Sequence, residues 1–291
     1  MELWQAIVLG IVEGSTEYLP VSSTGHLILA SGLMGLNDTP ESASAANAFN
    51  IVIQGGAILA VLGLYRQRVW QMIRGLMGRD RDGLRLAINI VIAFLPAAIL
   101  GVLFADLIDS YLFNAATVLT LLALGGVYMI ALDRTLVAPR RKAEQGMNID
   151  ELRPLQALII GLLQCVAMVP GTSRSMMTIT GGVIVGLKPR DAAEFSFLLG
   201  LPTLGGACVY TLFKDFRSND GSLSMVEQFG WLNIGAGILV SMVAAAIAVK
   251  WLVGFLNKHG LEVFGWYRIV LAAVLLIAVL AGVVSFAPEQ G

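Results

Sequence analysis

Two acidic residues, Glu13 and Glu17, stand inside an otherwise apolar stretch that covers residues 3–35. Residues four apart share one face of a helix, where two carboxylates repel each other. Such a pair is suited to holding a divalent cation, to pairing with an arginine or to acting as a general base. The structural alternative is an ion pair with Arg174 and no further role. We predict Glu13 and Glu17 as catalytic residues, and as metal ligands if a metal ion is bound.

Hydroxyl groups and a histidine follow Pro20 closely. A proline followed by Ser22, Ser23 and Thr24 is typical of a helix start, whose free backbone N–H groups favour a phosphate group. His26 comes three residues after Ser23, so both would share a helix face as nucleophile and acid/base partner. We therefore predict Ser23 and His26 as catalytic, and Ser22 and Thr24 as substrate-binding. The structural alternative is a capped half-helix with His26 hydrogen-bonded in the core.

A second cluster of hydroxyl groups surrounds an arginine in the other half of the chain. Thr172, Ser173 and Arg174 follow a proline, and Thr178 comes one helical turn after the arginine. The planar guanidinium group matches the geometry of a phosphate, and an arginine in apolar surroundings needs an anion nearby. We predict Arg174 as both catalytic and substrate-binding, with the three hydroxyl residues as substrate-binding. Gln54, which lies in the apolar run after the first cluster, is a further substrate-binding candidate.

The composition shows what surrounds these residues. The chain has 291 residues, of which 19 are Lys or Arg and 20 are Asp or Glu, so that 13% are charged. Soluble proteins carry about 25%, and a soluble domain of this size could not cover its surface with so few charges. The net charge of −1 and the absence of a basic run exclude nucleic acid as a partner. The chain is therefore an integral membrane protein whose partner is the lipid bilayer.

Six uncharged runs are long enough to cross a bilayer, which takes about 20 apolar residues. They cover residues 47–65, 86–105, 110–132, 195–213, 228–249 and 269–288. Two other apolar regions, 3–35 and 154–187, are each broken by a proline and charged residues into two short halves. Such irregular backbone is tolerated at membrane depth only inside protein or beside a wet cavity. We predict an all-α integral membrane protein with six transmembrane helices and two re-entrant helical hairpins.

The order of these elements indicates an internal repeat. Each hairpin precedes three spans, and the segments that begin at Pro20 and Pro170 lie 150 residues apart. An odd number of spans per repeat inverts the second copy in the membrane. We predict a single membrane domain over residues 1–291, built from an inverted-topology repeat of residues 1–150 and 151–291.

The positive-inside rule selects one orientation. If the first full span ends in the cytoplasm, 16 of the 19 cations fall in the cytoplasmic segments 66–85, 133–153, 188–194 and 250–268. Both termini and the opening of the site then face the outside. The first hairpin enters from the outside and the second from the cytoplasm, so their tips should meet near the membrane midplane.

Three segments carry a resemblance to a known family. They are Glu13-Gly-Ser-Thr-Glu-Tyr-Leu-Pro-Val-Ser-Ser-Thr-Gly-His26, Pro170-Gly-Thr-Ser-Arg-Ser-Met-Met-Thr178 and Glu194-Phe-Ser-Phe-Leu-Leu. With these segments the chain resembles, over its whole length, the bacterial undecaprenyl-diphosphate phosphatases of the UppP/BacA type.

The resemblance implies hydrolysis of undecaprenyl diphosphate to the monophosphate and inorganic phosphate at the outer face of the bacterial plasma membrane. It also implies recycling of the lipid carrier for peptidoglycan synthesis, bacitracin resistance and dependence on a divalent cation such as Mg²⁺ or Ca²⁺. The family's functional residues correspond here to Glu13, Glu17, Ser23, His26, Ser173, Arg174 and Thr178.

Some alternatives stay open at this point. Ser23 could attack the terminal phosphorus with His26 as acid/base partner, or a water molecule could attack with Glu13 or Glu17 as base. Inverted repeats with broken helices are also found in secondary transporters, so a transporter or flippase of a phosphate-bearing lipid is the alternative function. A homodimer is the candidate assembly.

Overall fold

The computed structural model describes residues 1–37, 39–112, 114–142, 145–217 and 225–284. The named elements in these ranges are all helical. The α-helices are α1 Leu3–Thr16, α2 Ser23–Leu33, α3 Pro40–Leu64, α4 Arg66–Leu76, α5 Arg81–Leu112, α6 Ala115–Leu132, α7 Ala138–Lys142, α8 Pro154–Val166, α9 Arg174–Ile184, α10 Pro189–Arg217, α11 Met225–His259 and α12 Glu262–Leu280. A π-helical turn, Asp133–Val137, joins α6 to α7, and Gly230 interrupts α11 with a positive φ of 74°.

The expected all-α membrane fold is confirmed. Within the described part of the chain, six helical segments are long and apolar enough to cross a membrane. They are Ser42–Leu64, Arg81–Phe104, Ala115–Arg140, Pro189–Phe213, Met225–Leu256 and Glu262–Leu280. The third begins five residues later than the predicted 110–132, because α5 continues to residue 112. The last begins seven residues before the predicted 269–288, of which residues 285–288 lie outside the described ranges.

Two pairs of short helices occupy the regions predicted as hairpins. Helices α1 and α2 contain 14 and 11 residues, and α8 and α9 contain 13 and 11. At 1.5 Å per residue none exceeds about 21 Å, which is less than the roughly 30 Å apolar core of a bilayer. No helix of either pair is thus long enough to cross the bilayer, as expected of a re-entrant hairpin. The depth of each pair in a membrane stays a prediction.

The two pairs share one sequence offset. Helices α8 and α9 begin 151 residues after α1 and α2. The residues that cap α2 and α9, Ser22 and Ser173, also differ by 151. They have φ angles of 70° and 76° and are the non-glycine residues with positive φ in the described ranges. The connecting segments therefore turn in the same strained way, while the division into two repeats stays a prediction.

Each hairpin packs against a long helix from the other half of the chain. Helix α1 lies along α11, and α8 lies along α5. A Cβ atom added to Gly10 would be 2.7 Å from the carbonyl oxygen of Gly237, and one on Gly161 would be 2.4 Å from that of Ala93. These glycines permit close contact between helix backbones. Each hairpin is thus held against the half of the chain to which it does not belong.

Candidate functional site

The carboxylate of Glu17 connects the two hairpin tips. Glu17 caps the C-terminal end of α1, and its side chain is buried. Its Oε1 accepts hydrogen bonds from Nη2 and Nε of Arg174, at 3.2 and 3.3 Å. Its Oε2 accepts a hydrogen bond of 2.8 Å from the hydroxyl of Ser23. One buried acid therefore contacts the arginine of one tip and the Ser23 hydroxyl of the other.

Arg174, the first residue of α9, is held from three sides. Besides its bonds to Glu17, its Nη1 donates to the carbonyl oxygen of Ser196 at 3.1 Å. Its Cζ lies 5.5 Å from the ring centre of Tyr18, in cation–π contact. Gly200 leaves room for it, since a Cβ there would be 3.2 Å from Nη1. The guanidinium group is thus fixed with its plane defined before any ligand binds.

The second acid, Glu13, lies one helical turn before Glu17 and is fully buried. Neither carboxylate oxygen has a hydrogen-bond partner among the described residues. An ionised carboxylate without a partner is costly to bury, so this group calls for a cation, a proton or water. Arg174 of the other tip forms a salt bridge with Glu17, so the ion pair considered for the two acids is made by Glu17 rather than by Glu13.

Ser173, Thr178 and Thr172 of the second tip differ in the hydrogen bonds that their hydroxyl groups make. Ser173 caps α9 by accepting a hydrogen bond from the backbone N–H of Met176 at 3.3 Å. Thr178 is fully buried, and its hydroxyl lies 2.6 Å from that of Ser196 and donates to the carbonyl oxygen of Arg174. Thr172 is buried with no partner for its hydroxyl among the described residues. Of the three, Thr172 has its hydroxyl free for a ligand.

A direct hydrogen bond also joins the tips. Ser175, which follows Arg174, donates from its hydroxyl to the carbonyl oxygen of Leu19 at 2.7 Å. The sequence offered no signal for this contact, because it depends on how the two turns meet.

The structure does not pair Ser23 with His26. The Nδ1 of His26 lies 2.8 Å from the carbonyl oxygen of Ser22, and its Nε2 lies 2.7 Å from the hydroxyl of Tyr267 on α12. The two rings are also stacked, with centres 5.5 Å apart. Both ring nitrogens are therefore engaged elsewhere, and the hydrogen bond of the Ser23 hydroxyl is to Glu17.

The remaining predicted residues lie nearby in sequence but make fewer contacts. Ser22 is buried, and its hydroxyl has no partner among the described residues. Thr24 lies in the first turn of α2 and is half-buried, as is Gln54 on α3. No hydrogen bond of either side chain occurs within the described ranges.

The charge pattern predicts that Arg268 lies in the cytoplasmic segment 250–268. The structure corrects this: Arg268 is the seventh residue of α12 and is fully buried. Its Nη2 donates to the carbonyl oxygen of Gly171, in the second tip, at 2.8 Å. Fifteen of the 19 cations then remain in the segments assigned to the cytoplasm, so the charge argument for the orientation is little changed.

These contacts define what the site can do chemically. A hydroxyl group is hydrogen-bonded to a carboxylate that can accept its proton, and an arginine stands beside the same carboxylate. This is the arrangement of an activated nucleophile next to an anion-binding group. No group of three or more His, Cys, Asp or Glu residues suited to a metal is found in the described ranges. The orphaned carboxylate of Glu13 fits a Mg²⁺ ion, which commonly takes one or two protein carboxylates together with phosphate oxygens.

Fold and site together define a multi-pass membrane protein with an acid–hydroxyl–arginine centre between two hairpin tips. The family model described as bacitracin resistance protein BacA matches residues 6–274. The chain belongs to this BacA family.

Curated relatives are similar over nearly the whole chain. A protein of Azotobacter vinelandii (strain DJ / ATCC BAA-1303) named undecaprenyl-diphosphatase is 43% identical, with all of both chains covered. A protein of the same name from Pseudomonas syringae pv. tomato is 43% identical over 95% of each chain. Undecaprenyl-diphosphatase 1 of Stutzerimonas stutzeri is 40% identical with both chains fully covered.

Proposed function

We propose that this chain hydrolyses undecaprenyl diphosphate to undecaprenyl phosphate and inorganic phosphate. The observation that carries the proposal is the Glu17 carboxylate, which accepts the Ser23 hydrogen bond and pairs with Arg174. The names of the relatives supply the lipid, and the helices long enough to cross a membrane agree with a substrate that resides in the bilayer. The reaction returns the lipid carrier for peptidoglycan synthesis and confers bacitracin resistance.

The contacts assign a role to each group. Ser23 transfers its proton to Oε2 of Glu17, and its oxygen bonds to the terminal phosphorus as the bond to the bridging oxygen breaks. The electron pair leaves with undecaprenyl phosphate. Glu17 then releases this proton to the departing phosphate or to solvent and is ionised again. Water attacks the phosphoserine and gives a proton to Glu17, which returns it to the Ser23 oxygen as the bond to phosphorus breaks and inorganic phosphate leaves. Arg174 neutralises the charge on the transferred group, which is the main requirement of phosphoryl transfer.

Direct attack by water uses the same residues. Glu17 would then take a proton from water in place of Ser23, and Ser23 would orient the water. The ring nitrogens of His26 are hydrogen-bonded to groups other than Ser23, so its proposed role is to hold the start of α2 against Tyr267.

A divalent cation, Mg²⁺ or Ca²⁺, belongs to the proposal. Glu13 would hold it, since its carboxylate oxygens have no other partner in the described ranges, and Glu17 would be the second candidate ligand. When bound, the cation would supply positive charge to the phosphate oxygens.

We further propose that the protein lies in the bacterial plasma membrane with both termini and the site opening outside. The support is the charge distribution, in which fifteen of the 19 cations fall in the segments assigned to the cytoplasm. Cysteines introduced in place of Glu2 and Gly78 test this. A membrane-impermeant thiol reagent should label the first and not the second in intact cells, and the reverse pattern would contradict the orientation. A homodimer is a prediction that light scattering of the purified protein in detergent would test.

The function is tested with purified protein and undecaprenyl diphosphate in detergent micelles. Equal amounts of inorganic phosphate and undecaprenyl phosphate are expected. The transport alternative predicts no chemical change in micelles, but movement of the intact lipid between the leaflets of proteoliposomes. Intact lipid in micelles together with such movement would replace hydrolysis by transport.

A further inference from the structure

Arg268 is a buried cation that the proposed reaction does not yet use. Its Nε donates to the carbonyl oxygen of Leu122 at 3.3 Å, and its Nη2 donates to those of Leu121 and Gly171 at 3.1 and 2.8 Å. Its Nη1 is buried and has no partner among the described residues. The residue is fully buried, and no salt bridge to it occurs in the described part of the chain.

This arrangement is costly unless an anion completes it. Removing a charged group from water costs several kcal/mol, and carbonyl dipoles return only part of this. Because the guanidinium group is planar and two of its nitrogens are held, the direction of Nη1 is fixed. A fixed, buried donor without an acceptor is what a site built for an anionic ligand requires before the ligand arrives.

The contacts of α12 place Arg268 beside both hairpin tips. Gly171, which accepts its bond, stands three residues before Arg174 and directly before Thr172, whose hydroxyl is also buried without a partner. The preceding residue of α12, Tyr267, holds His26 of the other hairpin. The unpartnered donor therefore belongs to the junction at which the two tips meet.

The charges of the junction also call for a second cation. Glu17 and Arg174 form an ion pair, and if both acids are ionised then Glu13, Glu17 and Arg174 together carry one net negative charge. A diphosphate group adds several negative charges. A positive charge on Arg268 would offset part of this negative charge.

We propose that Arg268 is a second phosphate-binding arginine, which binds the diphosphate group through its Nη1 while its other nitrogens hold the tip of the second hairpin. This proposal deepens the proposed function and rests on it for the identity of the lipid, but the ligand chemistry it names is any diphosphate.

Gly125 on α6 provides a second way to test Arg268. A Cβ atom there would lie 2.4 Å from Nη2 and 3.0 Å from Cζ of Arg268. The three atoms nearest to this Cβ all belong to the Arg268 side chain. Gly125→Ala therefore displaces the guanidinium group without removing its charge. Gly63→Ala is the matched control, because a Cβ there meets no atom within 4 Å.

The test measures binding of inorganic diphosphate by calorimetry, and the KM and kcat for farnesyl diphosphate, in the purified protein. Arg268→Gln keeps a donor for the Gly171 carbonyl but removes the charge. It should raise the dissociation constant and the KM about tenfold to a hundredfold, because hydrogen bonds to charged groups are worth about 1.5–3 kcal/mol. Arg268→Lys should fall between it and the wild type, and Gly63→Ala should match the wild type.

Unchanged diphosphate binding in a folded Arg268→Gln protein would overturn the proposal. The role of Arg268 would then be only to hold the tip of the second hairpin in place. If Arg268→Gln does not fold, Gly125→Ala decides: weaker diphosphate binding supports the proposal, and wild-type binding overturns it. Because inorganic diphosphate binding needs no catalysis, failure of the proposed hydrolysis is seen separately, as absent phosphate release by the wild type.

Discussion

Replacing Glu17 by glutamine separates the charge of this residue from its shape. In the native structure one oxygen lies 3.2 Å from Nη2 of Arg174, and the other accepts the Ser23 hydrogen bond at 2.8 Å. The amide has nearly the same size but only one accepting oxygen. If that oxygen faces the arginine, the NH₂ group faces Ser23, and the hydroxyl must accept a bond instead of donating one. Ser23 then has no base for its proton.

The magnitude follows from the two lost functions. A positioned general base contributes about 10²–10⁴-fold to rate. Breaking a buried ion pair by removing one partner costs about 3–5 kcal/mol of stability, which is an upper bound here because the amide oxygen still accepts from the guanidinium group. We therefore expect kcat to fall at least about a hundredfold, and the melting temperature to fall by an amount that leaves the protein folded.

Glu194→Gln is a matched control for this experiment. Glu194 accepts a hydrogen bond of 2.8 Å from Arg68, and its side chain is 13% exposed, so it forms another shielded Arg–Glu pair. The variant should lose stability in a similar way and keep kcat within about threefold, as expected for a group outside the chemistry. Kinetics of phosphate release in detergent and thermal unfolding of both variants give the comparison. A kcat of Glu17→Gln close to that of the wild type, or equal losses in both variants, would refute the role of Glu17 as base.

The remaining predictions concern the nucleophile, the helix contact and the cation. Ser23→Ala should lower kcat at least about a hundredfold, which phosphate release measures, and a nearly normal kcat would favour direct attack by water. Gly14→Ala should destabilise the protein by about 1–3 kcal/mol in thermal unfolding, because its Cβ would lie 2.2 Å from the carbonyl oxygen of Ser241. The control variant Gly63→Ala should keep the stability of the wild type. Equal stability of the two variants would contradict the tight α1–α11 contact. A chelator should abolish phosphate release, and Mg²⁺ or Ca²⁺ should restore it. Full activity in the chelator, or a Glu13→Gln variant with unchanged cation dependence, would contradict cation binding by Glu13.

The fold was largely predictable because it depends on local apolar length. Uncharged runs identified six membrane-length helices, and prolines with charged residues identified the two pairs of short helices. The predicted start of the last span was wrong, because an arginine at the end of an apolar run gives the same sequence pattern whether it lies in a loop or inside the helix bundle. The position of Arg268 inside the bundle depends on the space beside Gly125 and on the hydrogen bond to the carbonyl oxygen of Gly171. An apolar pattern shows neither of them.

The sequence predicted three of the residues that the structure brings together at the tips, Glu17, Ser23 and Arg174, but not how they pair. Helical spacing placed Ser23 and His26 on one face, but the ring of His26 turns back to the carbonyl oxygen four residues earlier and to Tyr267 of α12. The partner of Ser23 is Glu17, which lies on the preceding helix across an irregular turn. Periodicity describes positions within one helix, so contacts made across a turn or between distant helices are beyond it.

The central claim is that the acid–hydroxyl–arginine centre between the tips hydrolyses the lipid diphosphate. The most direct measurement is inorganic phosphate released from undecaprenyl diphosphate by purified wild-type protein, Arg174→Ala and Arg68→Ala in the same detergent. We expect release by the wild type and by Arg68→Ala, because Arg68 forms its ion pairs with Asp150 and Glu194 and not with Glu17. A loss of at least about a hundredfold is expected in Arg174→Ala. Equal release by Arg174→Ala and the wild type, or none by the wild type, would contradict the account.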